Sequence, residues 1–213
     1  MKITKLGHCC MIVEDSGLRV MTDPGAYSSL ENEVKNIDVV LITHEHQDHF
    51  HLESLKKVLA NNPEAKIFTN GAVGKLLDAE KITYEILEDG ARKMIAGTAI
   101  EGFGKTHAPI YPSVTPVQNT GYFVADRFFY PGDAFYDPKK PVEILALPMA
   151  GPWLKISESI DYAKSLKPKV CFPVHDGMLN SHGLALIDRL PAGLLKHFKV
   201  GFKTLKLGEA EEL

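Results

Sequence analysis

The segment His44-Glu45-His46-Gln47-Asp48-His49 places three imidazoles and a carboxylate within a few residues of backbone. Neutral imidazole and ionised carboxylate are the ligand types that suit zinc and its neighbours in the transition series. Crowded together, such imidazoles repel one another on any protonation unless something binds them. The chain has 9 His in 213 residues, so composition alone produces His-x-His-x-Asp-His about once in a thousand such sequences. A solvated polar loop is the plain alternative, and that improbability favours a metal site over it.

Further ligands are expected where other strands end, because sites in α/β sheets gather where strands terminate and loops converge. His107 follows the run Thr98 to Phe103, Asp133 follows Phe128 to Tyr130, and His175 ends Val170 to Val174. Each alone reads as a satisfied polar residue in a loop. Together His44, His46, Asp48, His49, His107, Asp133 and His175 suffice for two metals with positions left for water. Asp23 is a candidate acceptor for a ligand imidazole N–H, and equally a turn carboxylate before Pro24. His8 is a candidate catalytic residue lining the pocket, or a structural hydrogen-bonding group. His182 is a candidate general acid, or the start of a helix in a surface loop. Trp153 reads as a cleft wall or an edge residue, Tyr111 as a substrate contact or, flanked by prolines, a packing residue. His51 is expected to start a helix and His197 to lie on the surface.

The elements that must position these groups alternate in type. Short strands are predicted at 2–6, 9–14 and 18–22. The nearly continuous apolar run 37–43 fits a strand buried on both faces. Leu52, Leu55, Val58 and Leu59 share a helical face that Asn61-Asn62-Pro63 ends. A strand at 66–69 and a helix at 73–80 follow, then β segments at 84–87, 92–95, 98–103, 121–125 and 127–130. The C-terminal part returns to alternation: a strand at 143–147, a helix capped by Ser157, a strand at 170–174, a helix at 184–190 and a closing strand at 202–207. Strand-rich halves that each carry helices predict an α/β sandwich of two sheets with helices outside, one domain over 1–213.

Composition sets bounds. Hydrophobic residues at 45% and charged residues at 24% are ordinary for a globular protein. A net charge of −3 provides no basic field for a polyanion, so nucleic acid is not the expected partner. Cys9, Cys10 and Cys171 form no CxxC pair, which fits a reducing compartment and points to burial, with Cys9 and Cys10 on opposite strand faces. No signal-peptide core or membrane-spanning run is present, so the cytoplasm is the expected location and no membrane partner is expected.

On Leu6-Gly7-His8, Thr22-Asp23-Pro24, Thr43 to His49, Thr106-His107-Ala108, Gly132-Asp133 and Pro173-Val174-His175, nearly the whole chain resembles the metallo-β-lactamase superfamily. It looks most like the small metal-dependent hydrolases that include ascorbate-phosphate lactonase-like proteins. The resemblance implies a four-layer αββα sandwich. It places one metal on His44, His46 and His107, a second on Asp48, His49 and His175, and Asp133 between them. Two divalent ions are implied, zinc first, with manganese or iron compatible. A shared, acidified water would be the nucleophile, with Asp48 orienting it. The expected substrate is a small ester or lactone; a small phosphodiester is the alternative. Redox chemistry, as in the superfamily's di-iron flavoproteins, and a non-catalytic metal scaffold belong to other classes. The former typically have Glu where His46 stands, and a fused flavin domain. A homo-oligomer is compatible with the resemblance.

Overall fold

The apolar run before the hexad is a strand in the middle of a sheet. In the computed structural model, which describes residues 1–213, β1 (Lys2–Gly7), β2 (Cys10–Asp15) and β3 (Leu18–Thr22) form an antiparallel meander. Strand β4 (Val39–Leu41) adds parallel to β3, followed by β5 (Lys66–Thr69) and β6 (Glu85–Ile86). Every residue of β4 is fully buried, as the unbroken apolar pattern requires. Parallel neighbours need crossovers. Helix α1 (Leu52–Asn61) connects β4 to β5, and α2 (Gly71–Ala79) connects β5 to β6.

The second sheet repeats this plan. Strands β7 (Arg92–Ile95), β8 (Thr98–Phe103), β9 (Gly121–Val124) and β10 (Phe128–Tyr130) are antiparallel. From β10 onward β11 (Ile144–Pro148), β12 (Val170–Val174) and β13 (Gly201–Phe202) run parallel. Helix α3 (Ile156–Leu166) crosses from β11 to β12, and α4 (Ser181–Leu195) from β12 to β13. A last strand, β14 (Ala210–Glu212), pairs with β1 at the edge of the first sheet.

Three hydrophobic clusters separate four layers, the expected αββα sandwich. Met11, Val39, Leu41, Phe128 and Phe172 belong to the core between the sheets. Ile12, Val40, Leu55 and Val73 join the first sheet to α1 and α2; Leu145, Ile160, Ala163 and Ile187 join the second sheet to α3 and α4. Cys9, just before β2, enters the central core and Cys10, its first residue, faces α1 and α2, so both thiols are buried as expected.

Three details correct the expected elements. Helix α3 starts at Ile156 with Lys155 in the cap position, its N–H bonded to Glu158 Oε2 at 2.7 Å, so Ser157 lies inside the first turn. Helix α4 exceeds 184–190 at both ends, because Asn180 Oδ1 caps it and Leu195 still reaches the core. The closing strand stops at Phe202, and the last sheet partner is β14. No helix is long and apolar enough to cross a membrane.

Leu41 has no exposed surface at the centre of the inter-sheet core. Leu41→Ala is expected to destabilise the fold by about 2–5 kcal/mol, read as a lower urea midpoint at an unchanged slope. A cost below about 1 kcal/mol would place Leu41 outside the tightly packed core.

Candidate metal centre

The hexad is anchored by a carboxylate that precedes it by some twenty residues. Asp23 ends β3 in a left-handed conformation (φ 35°), and its N–H bonds Leu41 O at 2.9 Å. Its Oδ1 accepts the Thr43 N–H at 2.8 Å. Its Oδ2 accepts the Thr43 hydroxyl at 2.7 Å and the Tyr130 hydroxyl at 2.6 Å, and lies 2.7 Å from His49 Nδ1. Asp23 is fully buried, and these donors take the place of the water that burial removes. Gly25 packs against the backbone of the hexad, where a Cβ would overlap the Asp48 carbonyl. Asn70, capping α2, donates to Thr43 O at 2.8 Å.

These bonds fix the imidazole tautomers. His49 donates Nδ1–H to Asp23, which leaves the Nε2 lone pair free. The Thr43 hydroxyl hydrogen goes to Asp23, so its oxygen accepts from His44 Nδ1 at 3.0 Å, freeing His44 Nε2. His107 Nδ1 donates to Ala108 O at 2.5 Å and likewise frees Nε2. The Nε2 atoms of His44, His49, His107 and His175, with Asp133 Oδ1, are buried and have no hydrogen-bond partner. Unpaired buried nitrogen and oxygen atoms converging in this way fit a bound cation.

The donors fall into linked groups, each with ligand atoms within 4.8 Å of one another: His44, His46 and His107; His8, Asp48, His49 and His175; and His44, His49 and Asp133. Asp133 stands between the first two. Its Oδ2 is 3.2 Å from His107 Nε2 and 2.9 Å from His175 Nε2, while Oδ1 is 3.1 Å from His49 Nε2. Asn119 Oδ1 accepts the Asp133 N–H at 3.1 Å. The preceding Gly132 (φ 64°) has no room for a Cβ against that same amide. All seven expected ligands are thus brought together, and His46 and Asp48, only partly buried, form the accessible edge.

His8 joins the cluster in another capacity. Gly177 N–H donates to its Nδ1 at 3.0 Å, so the neutral ring carries its hydrogen on Nε2, which faces Asp48 Oδ2 at 3.1 Å. His8 is therefore a donor to Asp48, not a ligand. It is walled in at 1% exposure, and burial lowers its basicity below the usual imidazole range. His182 lies exposed in the first turn of α4 and is in none of the ligand groups. His51 occupies the cap position of α1, and His197 is exposed. Tyr111 is exposed rather than packed.

Trp153 is the clearest addition. Its indole N–H donates to Asp133 Oδ2 at 2.7 Å, and its ring lies edge-on to His107 and His175. It sits in the loop after β11, so the strand-end rule that found His107 and His175 points to this loop as well. Thr43, Tyr130 and Asn119, which hold ligands rather than act as ligands, carried no comparable signal.

Without metal, protons hold the cluster together. Burial opposes charge on His175, but the Asp133 carboxylate and then Asp48 push its pKa up to about 9. His49 is likewise raised well above the usual range, burial being outweighed by Asp133 and Asp23. His44 is driven well below that range by burial and by the neighbouring His49. Burial works to raise Asp48 and Asp133, yet His175 and His8 hold Asp48 low, and His49 and His175 hold Asp133 low.

Comparison with known proteins gives a consistent picture. Residues 2–175 match the family model described as the β-lactamase superfamily domain. Protein Rv0786c of Mycobacterium tuberculosis is 31% identical over 184 residues, covering 84% of this chain and 85% of the relative. A UPF0173 metal-dependent hydrolase of Carboxydothermus hydrogenoformans is 24% identical over 194 residues, covering 82% and 84%. In fold, the chain is similar to Igni18, a metallo hydrolase from the archaeon Ignicoccus hospitalis, with a TM-score of 0.77 at 21% identity over 100% of this chain and 98% of that one.

The raised pKa of His175 gives the metal-free fold a definite pH dependence. An unfolded imidazole titrates near 6.5, so the folded preference for the proton is fully stabilising below about pH 6.5 and is lost as pH rises through about 9. The melting temperature of chelator-stripped protein should fall across that window, and added zinc should flatten the fall; a rise across it contradicts the assignment. Trp153 is the only tryptophan in the chain, so its emission should change as metal is titrated in. Identical spectra for stripped and loaded protein would place the indole away from the centre.

Proposed function

The chain belongs to the metallo-β-lactamase superfamily and is a metal-dependent hydrolase, and we propose that it uses a dinuclear centre to hydrolyse a small ester or lactone. The observation that carries this is Asp133, one carboxylate oxygen of which faces His107 on one side and His175 on the other. His44, His46 and His107 would hold one divalent cation, and Asp48, His49 and His175 the second, with Asp133 shared. The neutral imidazoles and carboxylates suit zinc, and manganese or iron fits the same mixed set. When bound, the pair supplies an acidified water and a Lewis acid for the acyl oxygen.

The chain's own residues do the rest. Asp48, at the accessible edge, accepts from His8 through Oδ2, which leaves Oδ1 to orient a water by hydrogen bonding. His8 positions Asp48 and keeps its proton, because Nδ1 is occupied by the Gly177 N–H. His8 keeps its hydrogen toward Asp48, and His182 is exposed on α4. A cavity of about 310 Å³ opens beside His8, with Leu179, Leu205 and Leu207 in its wall alongside Lys5, Asp176 and Asp188. It is at the small end of ligand cavities, and its leucines suit a short apolar group. Asp48 and Asp133 form ion pairs with histidines alone, with no Lys or Arg beside them.

The test is a panel of chromogenic lactones, esters and phosphodiesters assayed with zinc or manganese. Wild type should bind close to two metal equivalents and turn over lactones or esters best. His46→Ala and Asp133→Ala should each lower turnover by more than the roughly 10–100-fold typical of removing an outer hydrogen-bond partner. Equal or better turnover of a bis-aryl phosphate would replace the ester reading with phosphodiester hydrolysis.

A further inference from the structure

One ligand turn is held by a buried ion pair that the proposed chemistry does not use. Lys5, on β1, is 4% exposed, and Asp176, directly after His175, is 6% exposed. Lys5 Nζ donates to Asp176 Oδ2 at 2.5 Å and to Pro173 O at 2.9 Å. The ammonium therefore grips the turn on both sides of His175, reaching from the first sheet to the end of a strand in the second. The same two turns are joined twice more: His175 N–H donates to His8 O at 3.1 Å, and Gly177 N–H to His8 Nδ1 at 3.0 Å.

Both residues so joined have unusual backbones. His8 (φ 28°) and His175 (φ 59°) are non-glycine residues in the left-handed region, where a side chain persists only if its surroundings hold it. Gly177 presses on the His8 ring so closely that a Cβ would touch the ring and its Cβ. His175 gets no help from its own ring, since Nδ1 is buried without a hydrogen bond, whereas His44, His49 and His107 are each oriented through theirs. With no hydrogen bond at Nδ1, the aim of His175 depends more on its backbone than that of the other three.

We infer that Lys5 and Asp176 form a positioning clamp that sets the second metal position, aiming His175 directly and Asp48 through His8. The inference rests on the dinuclear reading above. It is specific to one position, because His44, His46 and His107 make no hydrogen bond to either clamped turn.

A buried pair replaced by apolar residues of similar volume usually leaves stability unchanged, whereas removing one partner strands the other charge. The informative variant is therefore Lys5→Met with Asp176→Leu, studied in the full chain by zinc calorimetry and thermal melting of the stripped protein. The melting temperature should stay within a few degrees of wild type. One of the two zinc equivalents should weaken by about 10–100-fold, the range for lost outer partners of a metal site, while the other holds. Asp176→Asn, which keeps an oxygen facing Nζ, serves if the double variant does not fold; it should weaken the same single equivalent, by about 3–10-fold. Unchanged binding of both equivalents, or both weakening in step with a lowered melting temperature, would overturn the clamp. Wild type that takes up only one zinc would sink the dinuclear reading and the clamp with it.

Discussion

The structure depends on a carboxylate buried where two sheets meet. Asp23 has no solvent contact, and burying a charge so completely is unfavourable unless donors replace the lost water. Here they come from three directions: Thr43 at the end of β4, His49 within the hexad, and Tyr130 from the opposite sheet. Satisfying one anion thereby joins both sheets and orients two ligand imidazoles, one directly and one through Thr43. Fold and site share this interaction, so neither can be perturbed there without the other.

That coupling explains why the site looks over-determined from below and open from above. The Nδ1 atoms of His44, His49 and His107 are committed to oxygen partners, so their Nε2 atoms have a single direction left to point. At the accessible edge, His46 and Asp48 keep some solvent. The arrangement separates rigidity from access, which is what an enzyme acting on a diffusing small molecule requires.

Much of this was legible in the chain because the controlling patterns are local. The apolar run before His44 identified a strand buried on both faces, and strand ends supplied His107, Asp133 and His175. Asp23 was legible as an acceptor but equally as a turn residue, and only the meeting of β3 and β4 decides between them. What escaped depends on distant partners. Strand β14 is Ala-Glu-Glu, with no apolar alternation, and becomes a strand only because β1 offers it an edge. The grip of Lys5 on Asp176 spans 171 positions, and a lysine in a strand ordinarily reads as solvent-facing. The tautomer of His8 likewise depends on a distant partner, the backbone N–H of Gly177.

The cysteines have a consequence outside catalysis. Cys9 lies in the core between the sheets, Cys10 in the layer beneath α1 and α2, and Cys171 in the layer beneath α3 and α4. Burial raises the pKa of all three, Cys171 to about 12, so the native thiols remain protonated and inert. The sandwich thus carries one dormant chemical reporter in each hydrophobic layer. Reaction with a thiol reagent requires that particular layer to open, so the order of labelling would distinguish local peeling of either helical face from separation of the two halves.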